Sequence, residues 1–305
     1  MDRAPAEGPT ATSGRAGRET AIERPVPAGI RSGDGVFETL RTYSGRPFLL
    51  EQHLARLRQG ARAIGLAPVP SSTSLVRSCL EALSRARGGT TGREWVLRPM
   101  LYSASSGAKL RIELEPIAAG GRRSSASRLV AGISSYLHPG KFLAPPGAKA
   151  PVKWLARGPL AHALREARRR GWQEAILEDS RGRLVEGTRT NLLAVIGGTL
   201  VAPGPESSAL PGITRAVALD DARRLGIPVE EHAPHRAELR AATEVMVTSS
   251  LLGIASLKRI VGVWEPPRPG PRTSISSVLR RGYDRRTGRT GDGPGRTPRH
   301  PSETP

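Results

Sequence analysis

Pro151-Val152-Lys153-Trp154-Leu155 opens a stretch that runs through Gly182-Arg183-Leu184-Val185-Glu186-Gly187-Thr188-Arg189-Thr190-Asn191 and closes on Leu210-Pro211-Gly212-Ile213-Thr214-Arg215. Lys153 stands between Pro-Val and Trp-Leu, neighbours that favour burial of its stem. Glu186 stands between Leu184-Val185 and Gly187 at the end of a short strand, which is not the pattern of a solvated face. Pro211-Gly212-Ile213-Thr214 reads as a helix start whose N–H groups and threonine hydroxyl suit an anion. Each signal alone has an ordinary explanation. A lysine beside a tryptophan usually packs its stem, and Pro-Gly-Ile-Thr is usually a cap.

Working outward, the elements around this stretch alternate in type. Upstream, Gly33-Asp34-Gly35 turns into an alternating strand over 36–41, Ser44-Gly45-Arg46-Pro47 is a hairpin-type turn, and 48–50 return. Residues 51–64 read as a helix whose apolar stripe is Leu54, Leu57, Ala61 and Ile64. His53 and Arg56, three apart, share one side of it, and spacing alone makes both solvated. A second helix is expected over 72–86, and strands over 95–102, 110–114 and 129–133. Residues 139–151 are Pro/Gly/Ala-rich, a linker signature. After Lys153 the pattern predicts a helix over 155–170, strands over 174–178, 183–186, 191–196 and 199–202, and a helix over 214–225. Further strands are expected at 228–232, 244–248 and 254–261, with a short helix at 237–242. This is an α/β (α+β) protein of two units. We expect a leader over 1–27, a small domain over 28–143, a linker over 144–150, a large domain over 151–265 and a disordered basic tail over 266–305.

Composition narrows the function classes. Lys+Arg number 47 against 27 Asp+Glu, a formal charge of +20. Nucleic-acid binding is the obvious reading of that excess. However, the basic residues are almost all arginine, with lysine only at 109, 141, 149, 153 and 258. Together with abundant Ala, Gly and Pro, this looks like the imprint of a GC-rich genome. Aromatic residues, 4% of the chain, are not interleaved with the basic ones as a single-strand binder requires. Cys79 is the only cysteine, which excludes an intramolecular disulfide and a cysteine-based metal site. No apolar run reaches membrane-spanning length, and no secretory signal is visible at the N-terminus. The default is a cytoplasmic protein.

The chemistry suggested by the central stretch is that of pyridoxal phosphate. It needs a lysine to attach the cofactor and move a proton, an acid to keep the ring nitrogen protonated, and a helix N-terminus with an arginine for the phosphate. In sequence order the motifs are Gly-Asp-Gly-Val-Phe-Glu-Thr-Leu-Arg (33–41), Glu-Gln-His-Leu-Ala-Arg-Leu (51–57), Pro-Val-Lys (151–153), Leu-Val-Glu-Gly-Thr-Arg-Thr-Asn (184–191), Leu-Pro-Gly-Ile-Thr-Arg (210–215) and Thr-Ser-Ser (248–250). Over about residues 30–262 this set resembles the fold-type IV pyridoxal phosphate enzymes, the class IV aminotransferases. That family includes branched-chain aminotransferase, D-amino acid aminotransferase and aminodeoxychorismate lyase.

The resemblance implies two α/β domains with the cofactor in the cleft between them, and a homodimer whose partner lends a loop to the site. It implies that Lys153 attaches pyridoxal 5'-phosphate, that Glu186 pairs with the ring nitrogen, and that Arg56, Ile213, Thr214 and Thr248 hold the phosphate. Arg98, in Trp95-Val96-Leu97-Arg98-Pro99, matches an arginine that handles a substrate carboxylate, and Ser249 is a second substrate-binding candidate. The implied reaction is amino-group transfer between an amino acid, of branched-chain or D-amino acid type, and a 2-oxo acid. Lysis of aminodeoxychorismate is the alternative, and a basic anion-binding protein on an inactive scaffold the more distant one. The details divide. Phe37-Glu38-Thr39 is nearer the lyase and D-amino acid types than the branched-chain Phe-Glu-Gly. Lys153-Trp-Leu-Ala-Arg157 looks like the lyase-type Lys-x-x-Asn-Arg with Ala156 for Asn. Val96 and Gly158 stand where branched-chain enzymes often carry tyrosines.

Overall fold

The computed structural model describes residues 26–87, 93–118, 129–133, 151–267 and 274–288. The leader expected over 1–27 lies outside them except for its last two residues, and the linker over 144–150 lies wholly outside.

The chain begins with a short helix, Ala28–Ser32 (α1), then strands Gly35–Phe37 (β1), Leu40–Tyr43 (β2) and Arg46–Pro47 (β3). Helices Leu50–Ala63 (α2) and Ser72–Arg87 (α3) follow, then long strands Glu94–Ala104 (β4) and Gly107–Ile117 (β5). Sequence periodicity predicts one strand over 36–41, whereas the structure has two. β4 pairs along its full length with β5, and on its other edge first with β2 and then with β1. The break falls at Glu38-Thr39 for a covalent reason. Glu38 N–H donates to Pro99 C=O at 2.9 Å, but Pro99 has no N–H to return. Helices α2 and α3 bury Leu54, Leu57, Leu75 and Leu83 against this sheet.

The rest of the chain builds a larger sheet from Leu129–Ile133 (β6), helix Gly158–Arg169 (α4), and strands Glu174–Glu178 (β7), Leu184–Gly187 (β8), Asn191–Ile196 (β9) and Thr199–Ala202 (β10). Helix Ile213–Arg224 (α5), strand Val229–Glu231 (β11), helix Arg236–Arg240 (α6), strands Glu244–Ser249 (β12) and Gly253–Val261 (β13), and helix Ile275–Arg286 (α7) complete it. The strand order is β11-β10-β9-β12-β13-β6-β7-β8, and β8 pairs back onto β9. Six of the strands therefore close into a ring. Alternation divides the side chains between its two faces. Leu192, Ala194, Val245 and Val247 point into one cluster, while Leu193, Val195 and Met246 meet α5 and α7 on the other.

Three boundaries depart from the sequence reading. Residues 129–133, assigned to the small domain, pair in parallel with β13 and β7 in the large sheet. Their unbroken apolar run is what a strand covered on both faces requires. Residues 153–155 do not begin a helix. They lie antiparallel along β1, with Phe37 N–H on Lys153 C=O at 3.0 Å and Leu155 N–H on Gly35 C=O at 2.9 Å, and α4 starts three residues later. The tail over 266–305 is not wholly without structure, because α7 lies within it. Its polar composition hides two anchors, Leu279 and Tyr283, which are fully buried. The Tyr283 ring meets Phe48 edge-on at 5.5 Å, and Phe48 meets Tyr43 at 5.7 Å, so α7 touches the N-terminal hairpin as well as β13. The helix N-cap hydroxyl of Ser274 accepts from Ser277 N–H, and the Glu244 carboxylate accepts from the first-turn N–H groups of Ile275 and Ser276.

Leu279→Ala should therefore cost about 2–5 kcal/mol, read as a lower urea midpoint at unchanged slope. A dispensable tail would show no shift.

Candidate active site

Between the two sheets lies a cavity of about 460 Å³, and all eight residues singled out in the sequence line it: Arg56, Arg98, Lys153, Glu186, Ile213, Thr214, Thr248 and Ser249. Each arrives by a different local route.

Lys153 is carried by the segment laid along β1. Its Nζ sits 5.0 Å from the centroid of the Phe37 ring. Burial, and then the Arg157 guanidinium, bring its pKa down to about 7, although Glu38 and Glu186 pull the other way. At neutral pH a substantial fraction of this amine is uncharged.

Glu186 sits where the ring of strands closes, paired across the sheet with Asn191. Its Oε2 accepts from Leu210 N–H at 3.1 Å and from Asn191 Nδ2 at 3.2 Å. Asn191 Nδ2 also donates to Leu210 C=O at 2.8 Å, so one amide fixes both the carboxylate and the loop ahead of α5. That loop passes so close that a Cβ on Gly212 would meet Asn191 Oδ1 at 1.7 Å. Only glycine fits. Gly212 provides no side-chain cap for α5, which leaves first-turn N–H groups facing the cavity wall at Ile213 and Thr214.

Arg56 projects from α2, but not as a solvated residue. Its Nε and Nη2 grip the two oxygens of Glu38 at 2.7 and 2.8 Å, and Nη1 donates to Pro211 C=O at 2.6 Å. Of a guanidinium's five N–H donors, two remain for the cavity. His53, also expected to be solvated, is 2% exposed. Its Nδ1 meets Glu38 Oε2 at 2.8 Å, and its Nε2 meets Ser250 Oγ at 3.2 Å. Burial lowers the His53 pKa more than Glu38 raises it. For Glu38, burial raises the pKa, but Arg56 and then His53 outweigh it and hold the carboxyl far below its ordinary range. An ionised Glu38 requires the proton on His53 Nδ1.

Sequence reasoning missed Glu38, His53 and Ser250 because their contacts join residues distant along the chain. The one available signal was an acid between Val36-Phe37 and Leu40 in the predicted strand. Thr248 Oγ1, at the end of β12, is buried without a hydrogen-bond partner among the described residues. An orphaned hydroxyl on the wall of a polar cavity requires an acceptor. A bound anion such as a phosphate near the α5 N-terminus would supply one.

The class IV aminotransferase model spans residues 35–260. The chain belongs to this family. Pyridoxal phosphate is the family's cofactor, and one relative of similar fold, a hypothetical aminotransferase from Mycobacterium tuberculosis, is solved in a form bound to it. That structure has TM-score 0.72 and 27% identity, covering 88% of this chain and 95% of that one. The branched-chain-amino-acid aminotransferase of Salmonella typhimurium is 30% identical over 249 residues, 77% of this chain and 78% of its own length. The D-alanine aminotransferase of Listeria innocua is 28% identical over 244 residues, 77% of this chain and 81% of its own. The expected family, α/β fold and transaminase class all agree with these relatives. The donor set, the orphaned hydroxyl and the glycine cradle fit the cofactor.

Two predictions follow from the charges of this class IV site. In cofactor-free protein, the rate at which an amine reagent labels Lys153 should rise with a midpoint near pH 7, against about 10.4 for an ordinary lysine. Glu38→Gln should cost about 3–5 kcal/mol at pH 7 by leaving Arg56 unpaired. A depressed carboxylate stabilises above its ordinary pKa and loses that contribution as pH falls, so the gap to wild type in urea should narrow below the usual carboxylate range.

Proposed function

We propose that this chain transfers an amino group between an aliphatic amino acid, of branched-chain or D-amino acid type, and a 2-oxo acid, with pyridoxal phosphate held in the interdomain cavity. The observation that carries this is the shared cavity wall: an amine brought down to about pH 7 at Lys153 and a buried carboxylate at Glu186 line one volume of about 460 Å³. Such a volume suits a small ligand of this size.

Lys153 would hold the cofactor through Nζ, Glu186 would accept from its ring nitrogen, and the α5 N-terminus, Thr214, Thr248 and Arg56 would hold its phosphate. Once bound, the cofactor supplies an electron sink for the charge left when a proton leaves the amine-bearing carbon. Lys153 Nζ, with a pKa near the working pH, is the base that moves that proton. The carboxylate of Glu186, fixed by Leu210 N–H and Asn191, stays oriented without help from solvent. Leu160, Leu164, Leu251 and Leu252 line the cavity's apolar side, which supports an aliphatic side chain on the substrate. Ser249, at the end of β12, is proposed to contact the substrate.

The family also supports a homodimer and a cytoplasmic location as proposals. Among the described residues no helix is long and apolar enough to cross a membrane.

Purified protein should show a visible absorbance band, and Lys153→Ala should abolish it and lower transamination by about 10²–10⁴-fold. Across L- and D-amino acids, 2-oxo acid should form beyond one equivalent per enzyme only when an acceptor is present. Pyruvate released from aminodeoxychorismate without an acceptor would instead identify a lyase.

A further inference from the structure

Four arginines line the cavity, and their charges are not equally committed. Arg56 is clasped by Glu38. Arg98 Nη1 lies 2.9 Å from Glu115 Oε2 across the β4–β5 pair. Arg189 lies 3.7 Å from Glu174 and donates to Gln173 C=O at 3.1 Å. Arg157 differs. Among the described residues no carboxylate forms an ion pair with it, and its one protein acceptor is the carbonyl of Thr188. That carbonyl is held in place because Glu174 accepts from Thr188 N–H at 3.1 Å. The Glu186 and Glu174 carboxylates act on it through space without an ion pair, and burial outweighs them, so its guanidinium keeps a desolvated charge that a contacting anion would stabilise.

Its position identifies the anion. Arg157 Cζ lies 5.5 Å from the centroid of the Phe37 ring, and Lys153 Nζ lies 5.0 Å from the same centroid. Of the charged groups acting on Lys153, Arg157 is the strongest. An amino acid presents its carboxylate two bonds from the nitrogen that is exchanged at the lysine. The cation that receives it must therefore lie beside Lys153 and have donors to spare. Arg157 satisfies both conditions, whereas the Arg98 charge is already set against the Glu115 carboxylate.

We propose that Arg157, rather than Arg98, binds the substrate's α-carboxylate. This rests on the amino-acid reading of the site, and the test separates the two. The holoenzyme is titrated calorimetrically with isovalerate, a carboxylate that lacks an amino group and cannot react, in wild type, Arg157→Gln, Arg157→Lys and Arg98→Gln. The visible band is recorded on each sample. Arg157→Gln should weaken isovalerate binding by roughly 30-fold or more, Arg157→Lys should recover part of that loss, and Arg98→Gln should stay within about threefold of wild type.

Three results would overturn the proposal: wild type that fails to bind isovalerate, unchanged binding in Arg157→Gln, or an equal loss in Arg98→Gln. Unchanged binding together with a raised labelling midpoint at Lys153 would make Arg157 a group that only tunes the lysine. A sample without the visible band that still binds isovalerate through Arg157 would sink the cofactor reading and keep this one.

Discussion

The carboxylate of Glu38 is fully withdrawn from water, and the site is arranged around the need to compensate it. A buried carboxylate without partners would take up a proton or destabilise the fold by several kcal/mol. Here Arg56 meets it with two parallel N–H bonds and His53 with a third. Each compensating group then has a remaining face, and both faces reach across the cleft. Arg56 bonds the carbonyl of Pro211, one residue before the Gly212 cradle, and His53 meets Ser250 in the turn after β12. The small sheet thus grips the two loops of the large sheet that border the cavity. The same clasp limits Arg56 as an anion ligand, since its charge is largely cancelled. The α5 N-terminus and the Thr248 hydroxyl must then carry more of any phosphate.

A second constraint fixes the lysine. Lys153 lies in the segment between β6 and β7, yet its carbonyl and the N–H of Leu155 are both paired to β1, on either side of Trp154. A connector would ordinarily be the most mobile part of a two-sheet protein. Pairing it as an added strand holds Nζ on the Phe37 ring within reach of the charges that lower its pKa. The opposing carboxylate is fixed differently, by closure of the ring of strands at Glu186 and Asn191. The two groups are positioned by independent pieces of sheet, so the width of the cavity follows from how the sheets pack and not from any one loop.

What the sequence displayed was whatever chemistry compresses into a turn. Lys153 after Pro-Val, Glu186 before Gly-Thr, and Gly212-Ile213-Thr214 each carry their local reason beside them, and all line the one cavity. The strand over 129–133 was visible as a strand, but its sheet was not, because its register partners at β13 and β7 lie far along the chain. Helix α7 was hidden by composition. Two buried side chains among arginines and serines do not raise average hydrophobicity, yet Leu279 and Tyr283 are enough to dock the helix. His53 shows the same limit from the other side. Spacing shows which face of a helix a residue occupies, not that an acid fifteen positions earlier has folded over that face.

The uneven commitment of the cavity arginines follows from the same bookkeeping of charge. Glu38, Glu115 and Glu174 each stand against one guanidinium on the wall, and Glu186 is engaged by Leu210 N–H and Asn191. Among the described residues Arg157 forms no ion pair, feels Glu186 and Glu174 only through space, and donates to the Thr188 carbonyl beside Lys153. Its field keeps more of the lysine uncharged near neutral pH, and the same field attracts an anion to that spot. A substrate that brings a carboxylate would cancel the field as it binds. The pKa of Lys153 would then rise at the moment the nitrogen must be exchanged. A lysine held largely uncharged beside the bare guanidinium and one that takes a proton more readily once the carboxylate is bound are the two states that a proton-moving lysine needs. One guanidinium on the Phe37 ring couples them to the arrival of the substrate.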